Sequence, residues 1–236
     1  MVPFLLCMKK YFKKKWQTWR GTVLFITCVV FPVRASIAAL NFVPTGSMNP
    51  TILEGDFVFS NHLSYGLRIP MTDYRVAQWD DPDRGDIVIC FSPDEGIRLV
   101  KRVIAVPGDT IEMRELRVFI NGRALEYGPL AEKIVSEMNV ELRRQSIFAS
   151  EKLGERDHAV MGLPVVNSPY RSFAKRTLGE REYFVMGDNR DNSKDSRIFG
   201  IVLRGKIVGE ATHVVMSFDK TDKFQPRWRR FFTGLK

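Results

Sequence analysis

Arg98-Leu-Val-Lys-Arg-Val-Ile-Ala-Val-Pro-Gly-Asp-Thr-Ile-Glu-Met-Arg-Glu-Leu-Arg-Val-Phe-Ile-Asn-Gly122 decides the fold class. Its apolar runs, Leu99–Val106, Thr110–Arg114 and Arg117–Ile120, are short and separated by turn formers such as Pro107-Gly108, the punctuation of strands rather than helices. Asn121-Gly122 precedes a further short run at Ala124–Leu125. That pair tolerates positive φ at both centres of a type I′ turn, so a hairpin is expected there. Similar runs recur outward at Asp56–Ser60, Asp86–Phe91, Tyr183–Met186 and Lys206–Ser217. The expected fold is mainly β, with an antiparallel β-sheet core over residues 43–122 and 182–220 and a smaller β subdomain inserted at 123–181. Within the insertion, Ala131–Arg144 carries Ile134, Met138 and Leu142 four apart, the spacing of one short helix. Residues 221–236 form a basic, aromatic tail, read either as a membrane-surface contact or as a frayed end.

The 236-residue chain carries a net charge of +9, which raises nucleic acid or an acidic membrane as partner. Its distribution separates the two. Lys9, Lys10, Lys13, Lys14, Lys15, Arg20 and Arg34 all precede Glu54, the first acidic residue, leaving +2 over residues 54–236. A nucleic-acid reader needs its basic footprint on the folded domain, so none is expected here. With 44% hydrophobic and 27% charged residues, disorder and a polytopic membrane protein are both excluded. Trp16–Val33 would make about 27 Å of helix at 1.5 Å per residue. Trp16 and Trp19 would serve as interfacial anchors, with Arg20 snorkelling. One N-terminal transmembrane helix is therefore expected, with residues 1–15 as a basic cytoplasmic segment, residues 16–42 as anchor and exit, and everything after Arg34 outside. A cleaved signal peptide is the competing reading, since Ala35, Ser36, Ala38 and Ala39 supply small residues.

Cys7, Cys28 and Cys90 are an odd set without CxxC spacing, so neither a disulfide framework nor a zinc site is expected. Cys90, within a β-like apolar run, reads as a buried thiol packing as a small hydrophobe. His62, His158 and His213 stand in unlike contexts, and a Ser-His-Asp triad has no support. No metal and no cofactor is expected.

Three motifs can carry chemistry. In Pro44-Thr-Gly-Ser-Met-Asn-Pro-Thr51, Gly46 permits a sharp turn and Pro50 stiffens its exit, so Ser47 can be held at a fixed angle. A serine in an ordinary Gly/Pro turn reads the same way. In Arg98–Asp109, strand alternation puts Lys101 on the face of Leu99 and Val103. That is costly unless the lysine is useful or guards a sheet edge. Gly187-Asp-Asn-Arg-Asp-Asn-Ser-Lys-Asp-Ser-Arg197 is a loop dense in side chains that bond their own backbone. It is not a calcium loop of the EF-hand kind, because the twelfth position from Asp188 is Phe199 rather than Glu.

Taken together and in this order, Pro44–Thr51, Arg84-Gly-Asp-Ile-Val88, Lys101-Arg-Val with Pro107-Gly-Asp109, and Gly187–Ser193 with Asp195-Ser-Arg197 closely resemble bacterial signal peptidase I, the leader peptidase. The resemblance runs from the anchor to Ser217-Phe-Asp-Lys220. It implies a Ser/Lys-dyad endopeptidase that removes signal peptides from exported pre-proteins outside the cytoplasmic membrane. It makes Ser47 the nucleophile and Lys101 the general base, with Ser193 orienting the lysine and Thr45 joining the Ser47 amide in an oxyanion hole. Arg102 with Asp188, and Asp195 with Arg197, become structural ion pairs. Val43, Met48, Val100 and Val185 become the lining of shallow pockets for small residues. The implied partners are exported pre-proteins and the lipid bilayer, with the export machinery as a further candidate contact. Conjugative-transfer and self-cleaving repressor-type Ser/Lys proteases share this chemistry, although the latter would need a DNA-binding N-terminus. A catalytically silent membrane-tethered β module is the reading outside enzymes.

The implied chemistry sets a physical demand. A lysine of ordinary pKa about 10.4 is charged near neutrality and cannot take a proton from serine. Each unit by which its pKa is lowered costs the charged form about 1.4 kcal/mol, and burial is the available means.

Overall fold

A computed structural model describes residues 19–27, 37–69, 74–166 and 168–235. In chain order the strands are β1 (Ala38–Phe42), β2 (Asp56–Asn61), β3 (Gly66–Arg68), β4 (Arg75–Gln78), β5 (Ile87–Phe91) and β6 (Arg98–Ala105). They continue with β7 (Thr110–Arg114), β8 (Arg117–Ile120), β9 (Arg123–Ala124), β10 (Glu126–Gly128), β11 (Ile147–Leu153) and β12 (Arg156–Gly162). The last six are β13 (Phe173–Thr177), β14 (Glu182–Met186), β15 (Val202–Leu203), β16 (Ile207–Asp219), β17 (Gln225–Pro226) and β18 (Thr233–Gly234). The main sheet runs β1-β2-β16-β5-β6-β14-β15, entirely antiparallel, with β17 and β18 also on β16. β16, 13 residues long, is its spine. Smaller sheets follow the orders β13-β7-β8-β9 and β10-β11-β12, and β3-β4 is a separate hairpin. The mainly β, antiparallel expectation is met.

The expected hairpin forms. Phe119 pairs with Ala124 and Ile120 with Arg123, and Asn121 and Gly122 take φ of 52° and 80°, the conformation a two-residue I′ turn requires. β7 and β8 turn equally tightly at Glu115-Leu116, with φ of 46° and 68°, although neither residue favours that region. The tip is held from outside: the Glu115 amide donates to Ser172 Oγ and the Leu116 amide to the Arg171 carbonyl.

Three boundaries differ from the sequence reading. The single helix expected over Ala131–Arg144 is two, α1 (Glu132–Val135) and α2 (Val140–Arg144). Asn139 begins the second by accepting from the amides of Glu141 and Leu142, the side-chain cap that Asn provides well. Met138, between them, is buried with Leu53, Val135 and Met161. The limit at Arg123 falls inside a sheet, because β7 and β8 pair with β9 and β13 from beyond it. The tail at 221–236 also packs onto the main sheet, where Arg230 donates to the buried Asp56 carboxylate at 2.6 Å. Of the expected span at 16–33, residues 19–27 are described and helical, with Trp19, Leu24 and Phe25 exposed; the rest lies outside the described residues. Among the described residues no helix is long and apolar enough to cross a membrane.

Phe184 of β14 joins the two main layers. It is 2% exposed within a cluster that includes Ile104, Ile111, Met113 and Leu153, and it stacks on Phe173 of β13 with centroids 5.1 Å apart. Phe184→Ala should destabilise the fold by about 3–5 kcal/mol. Urea unfolding measures this, and a loss below about 1 kcal/mol would mean that the layers are held together elsewhere.

Candidate active site

β1 ends at Phe42, and the chain turns through residues 44–50 before β2 returns beside it. Val43 and Met48 are buried on either side of the turn, in a cluster with Ile52, Val58, Ile87 and Ile89, and hold it against the sheet. The Asn49 amide closes the turn on the Gly46 carbonyl at 3.1 Å. Gly46 is needed for closeness rather than for an unusual φ: a Cβ there would lie 2.6 Å from Asn49 Nδ2. Ser47 is thereby left partly exposed on a turn held by packing and a hydrogen bond.

Lys101 comes to Ser47 from β6, its Nζ 2.6 Å from Ser47 Oγ. It stands opposite Val88 of β5. Its face of the strand carries Leu99 and Val103, which pack with Val88, Cys90 and Val185. The side chain is consequently buried at 2% exposure, and this burial lowers its pKa below the ordinary lysine value, with Arg197 adding to the effect against Asp195 and Asp188. An amine with that tendency, in contact with a hydroxyl, is a group able to accept its proton. Cys90 is fully buried in the same cluster and burial pushes its thiol up to about 12, so it is inert at neutral pH.

The loop after β14 closes the site. A Cβ on Gly187 would lie 2.3 Å from both Ser193 Oγ and the Ser47 carbonyl oxygen, so only glycine lets the loop approach the Ser47 turn. Asp188 is gripped by Arg102 Nε and Nη2 at 2.9 and 2.8 Å and accepts from Thr51 Oγ1 at 2.5 Å. Asp195 is gripped in the same way by Arg197 at 2.8 Å and accepts from the Gly187 amide at 2.9 Å. Burial works against both carboxylates, yet their arginines hold them below the usual carboxylate range.

The structure thus brings Ser47, Lys101, Ser193 and both ion pairs to one corner. Ser193 Oγ is buried there without a hydrogen-bond partner among the described residues. Thr45 is exposed beside Ser47, and its hydroxyl makes no hydrogen bond to another described residue. Val43, Met48 and Val100 pack together, whereas Val185 lies in the cluster beneath Lys101. None of the histidines bonds Ser47 or Lys101: His62 bonds Ser60 at 3.1 Å, His158 lies 3.2 Å from Glu151, and His213 of β16 stands opposite Gly234. Gly187, Asn189 and Thr51 carry no assigned role in the sequence reading. Their only signal is membership of the motifs, where a turn-former looks alike whether it turns the chain or receives a neighbour.

The family description "Signal peptidase, peptidase S26" matches residues 16–216. The chain belongs to this family. Signal peptidase I of Pseudomonas aeruginosa is 38% identical over 210 residues, covering 83% of this chain and 70% of the relative. That of Rickettsia rickettsii is 33% identical over 218 residues, covering 85% and 79%. A solved signal peptidase I from Enterococcus faecalis aligns with a TM-score of 0.36 and 31% identity, over 56% of this chain and 98% of that one. The protein is accordingly a serine endopeptidase of the signal peptidase I type.

Gly187→Ala tests the closeness at the corner of this peptidase. Either the loop or the Ser47 turn must retreat by a large fraction of an ångström, so kcat should fall at least about 100-fold while stability falls by only about 1–3 kcal/mol. Activity within about threefold of the parent would show that the corner yields without consequence.

Proposed function

We propose that this peptidase removes signal peptides from exported pre-proteins with Ser47 as nucleophile and Lys101 as general base. The observation that carries the reading is the 2.6 Å contact between Ser47 Oγ and a fully buried Lys101. Neutral Lys101 takes the Ser47 proton as Oγ attacks the carbonyl carbon, and the ammonium then gives that proton to the departing amine. Lys101, neutral again, next deprotonates a water that attacks the acyl ester, and its ammonium returns the proton to Ser47 Oγ as the signal peptide leaves. The developing oxyanion is met by the Ser47 amide, which makes no hydrogen bond among the described residues, and by the Thr45 hydroxyl. Ser193 Oγ, which makes no hydrogen bond among the described residues, would turn to donate to the neutral amine or accept from the ammonium as the lysine cycles. No metal or cofactor is required.

The substrate strand lies along β6. From Arg98 to Lys101 the edge of β6 facing away from β5 has no partner strand among the described residues, because β14 pairs only with residues Arg102 to Ala105. An extended peptide can add to this free edge. Val43, Met48 and Val100 floor the groove where small residues sit, and Val185 supports Lys101 from below.

The enzyme is held at the outer face of the bacterial cytoplasmic membrane by a single N-terminal span, with the N-terminus inside. Supporting this is a row of rings on one side of the main sheet: Phe42–Phe57 at 5.1 Å, Phe57–Phe218 and Phe218–Phe231 at 6.1 Å, and Phe231–Trp228 at 5.0 Å. Trp228, Phe232 and Phe224 are exposed, and Arg229 is mostly exposed beside them. An aromatic surface rimmed by basic groups suits the headgroup region.

Ser47→Ala and Lys101→Met should each abolish cleavage of a pre-protein ending its signal in Ala-X-Ala. In the parent, kcat/KM should rise with pH as Lys101 loses its proton and level off below pH about 10.4, the ordinary lysine value. The sign for stability is opposite to that of a stabilising ion pair. Holding the ammonium buried is unfavourable below the depressed pKa and is relieved as pH rises from there towards about 10.4. Lys101→Met should therefore melt higher than the parent at neutral pH. Full activity in either variant would remove the assignment.

Topology is read separately. A protease added outside the cytoplasmic membrane should digest residues 37–236 of the full chain in intact spheroplasts, and complete protection would reverse the orientation.

A further inference from the structure

One residue of the loop after β14 holds two successive peptide groups of the nucleophile turn. The Asn189 amide donates to the Ser47 carbonyl at 3.1 Å, and its side-chain Nδ2 donates to the Gly46 carbonyl at 3.1 Å. Asn189 is 1% exposed, and its Oδ1 has no partner among the described residues. A buried amide left half-satisfied is costly, and the one bond that the side chain makes is to Gly46.

That bond has a consequence on the opposite side of the same peptide. The only cis peptide among the described residues is Asn49–Pro50, so Gly46–Ser47 is trans. In a trans peptide the C=O and N–H point in opposite directions within one rigid plane. Fixing the Gly46 oxygen therefore fixes the direction of the Ser47 N–H, the donor aimed at the oxyanion. We infer that Asn189 is the positioning residue of the oxyanion hole, acting through the Gly46–Ser47 peptide; the inference rests on the Ser/Lys reading proposed above.

Asn189 is itself held from the second layer. It bridges to Met161 of β12, whose amide donates to the Asp188 carbonyl at 2.9 Å, while the Arg190 amide donates to the Met161 carbonyl at 2.8 Å. Arg190 then forms a buried pair with Glu151 of β11 at 2.6 and 2.9 Å, and Tyr127 of β10 donates to the same carboxylate at 2.6 Å. The β10-β11-β12 sheet contributes no reacting group, yet it fixes the residue that aims one.

The test separates aiming from mere support. A peptide aldehyde based on Ala-X-Ala binds by addition of Ser47 Oγ to its carbonyl carbon. The serine proton passes to Lys101, and the former carbonyl oxygen bears the charge in the oxyanion hole. The corresponding peptide amide binds without this step. Asn189→Ala should lower kcat by about 10- to 100-fold with KM changed less than about threefold, short of the 10²–10³ typical of deleting a donor outright. Aldehyde affinity should fall with kcat while amide affinity stays within about threefold. The acid limb of the kcat/KM profile should not move, because Lys101 is untouched. The Asn49 amide still holds the Gly46 carbonyl in this variant, and unchanged amide binding reports a folded groove. Asn189→Asp, which keeps the shape but sets an acceptor against the carbonyl, should lose more. Equal weakening of aldehyde and amide, or an unchanged kcat, overturns the inference and leaves the dyad reading intact. Retained activity in Ser47→Ala overturns the dyad reading, and this inference with it.

Discussion

On the Ser/Lys reading proposed above, Lys101 must be neutral to work, and excluding water from it is the main means of keeping it so. Leu99, Val103, Val88, Cys90 and Val185 dry its face of β6. Asp188 and Asp195 are close enough to pull the other way and favour the ammonium. Both are needed, since one accepts from Thr51 and the other from the Gly187 amide, and these bonds seat the loop. The conflict is resolved by giving each carboxylate a forked arginine at 2.8–2.9 Å. A bidentate pair leaves little net charge to act at a distance. The ion pairs therefore matter less as stabilisers, a role in which buried pairs are weak, than as a way to keep carboxylates near the lysine without recharging it.

The same device organises the rest of the loop. Asp191 is held by Arg171 at 2.8 Å and accepts from the Leu163 amide, while Arg190 reaches Glu151. Each charged residue in the loop except Lys194 is thus paired to a different part of the fold: β6, β11, the segment before β13, and the turn of helix after Asp195. Lys194, exposed, bridges to Asp94 and Glu95 of the β5–β6 connection. A segment with little apolar material of its own is fixed by directional bonds to elements that are themselves packed. This accounts for a loop so polar in sequence and so buried in space.

Such a loop is legible in sequence only as far as residue types allow. The antiparallel β class could be read because strand runs and Asn121-Gly122 are local signals, and Lys101 was conspicuous as a charge on an apolar face. The turn at Glu115-Leu116 was not legible, since its positive φ values are imposed by Arg171 and Ser172, about 57 residues away. Arg230 looked like part of a surface tail because its partner Asp56 is 174 residues distant. The helix over 131–144 was expected in one piece because the spacing of apolar residues does not register that Asn139 can cap a second start. Gly187 resembled any turn glycine; its reason is two neighbours that approach within 2.3 Å of where a Cβ would be. What escaped was contact across the fold.

On the Ser/Lys reading proposed above, the packing that fixes Ser47 also limits what can be cleaved. Met48, at 1% exposure, follows the nucleophile in the chain and lies with Val43 and Val100 under the free edge of β6. On the Ser/Lys reading, a substrate side chain beside the scissile bond rests on this floor. A methyl group fits above it. A larger group must displace Met48, and because interiors are close-packed that displacement passes to the adjoining residue rather than into empty space. The adjoining residue is Ser47, whose contact with Lys101 is the chemistry. Selectivity for small residues then needs no separate gate: a bulky substrate disables the dyad by the same contacts that hold it in place.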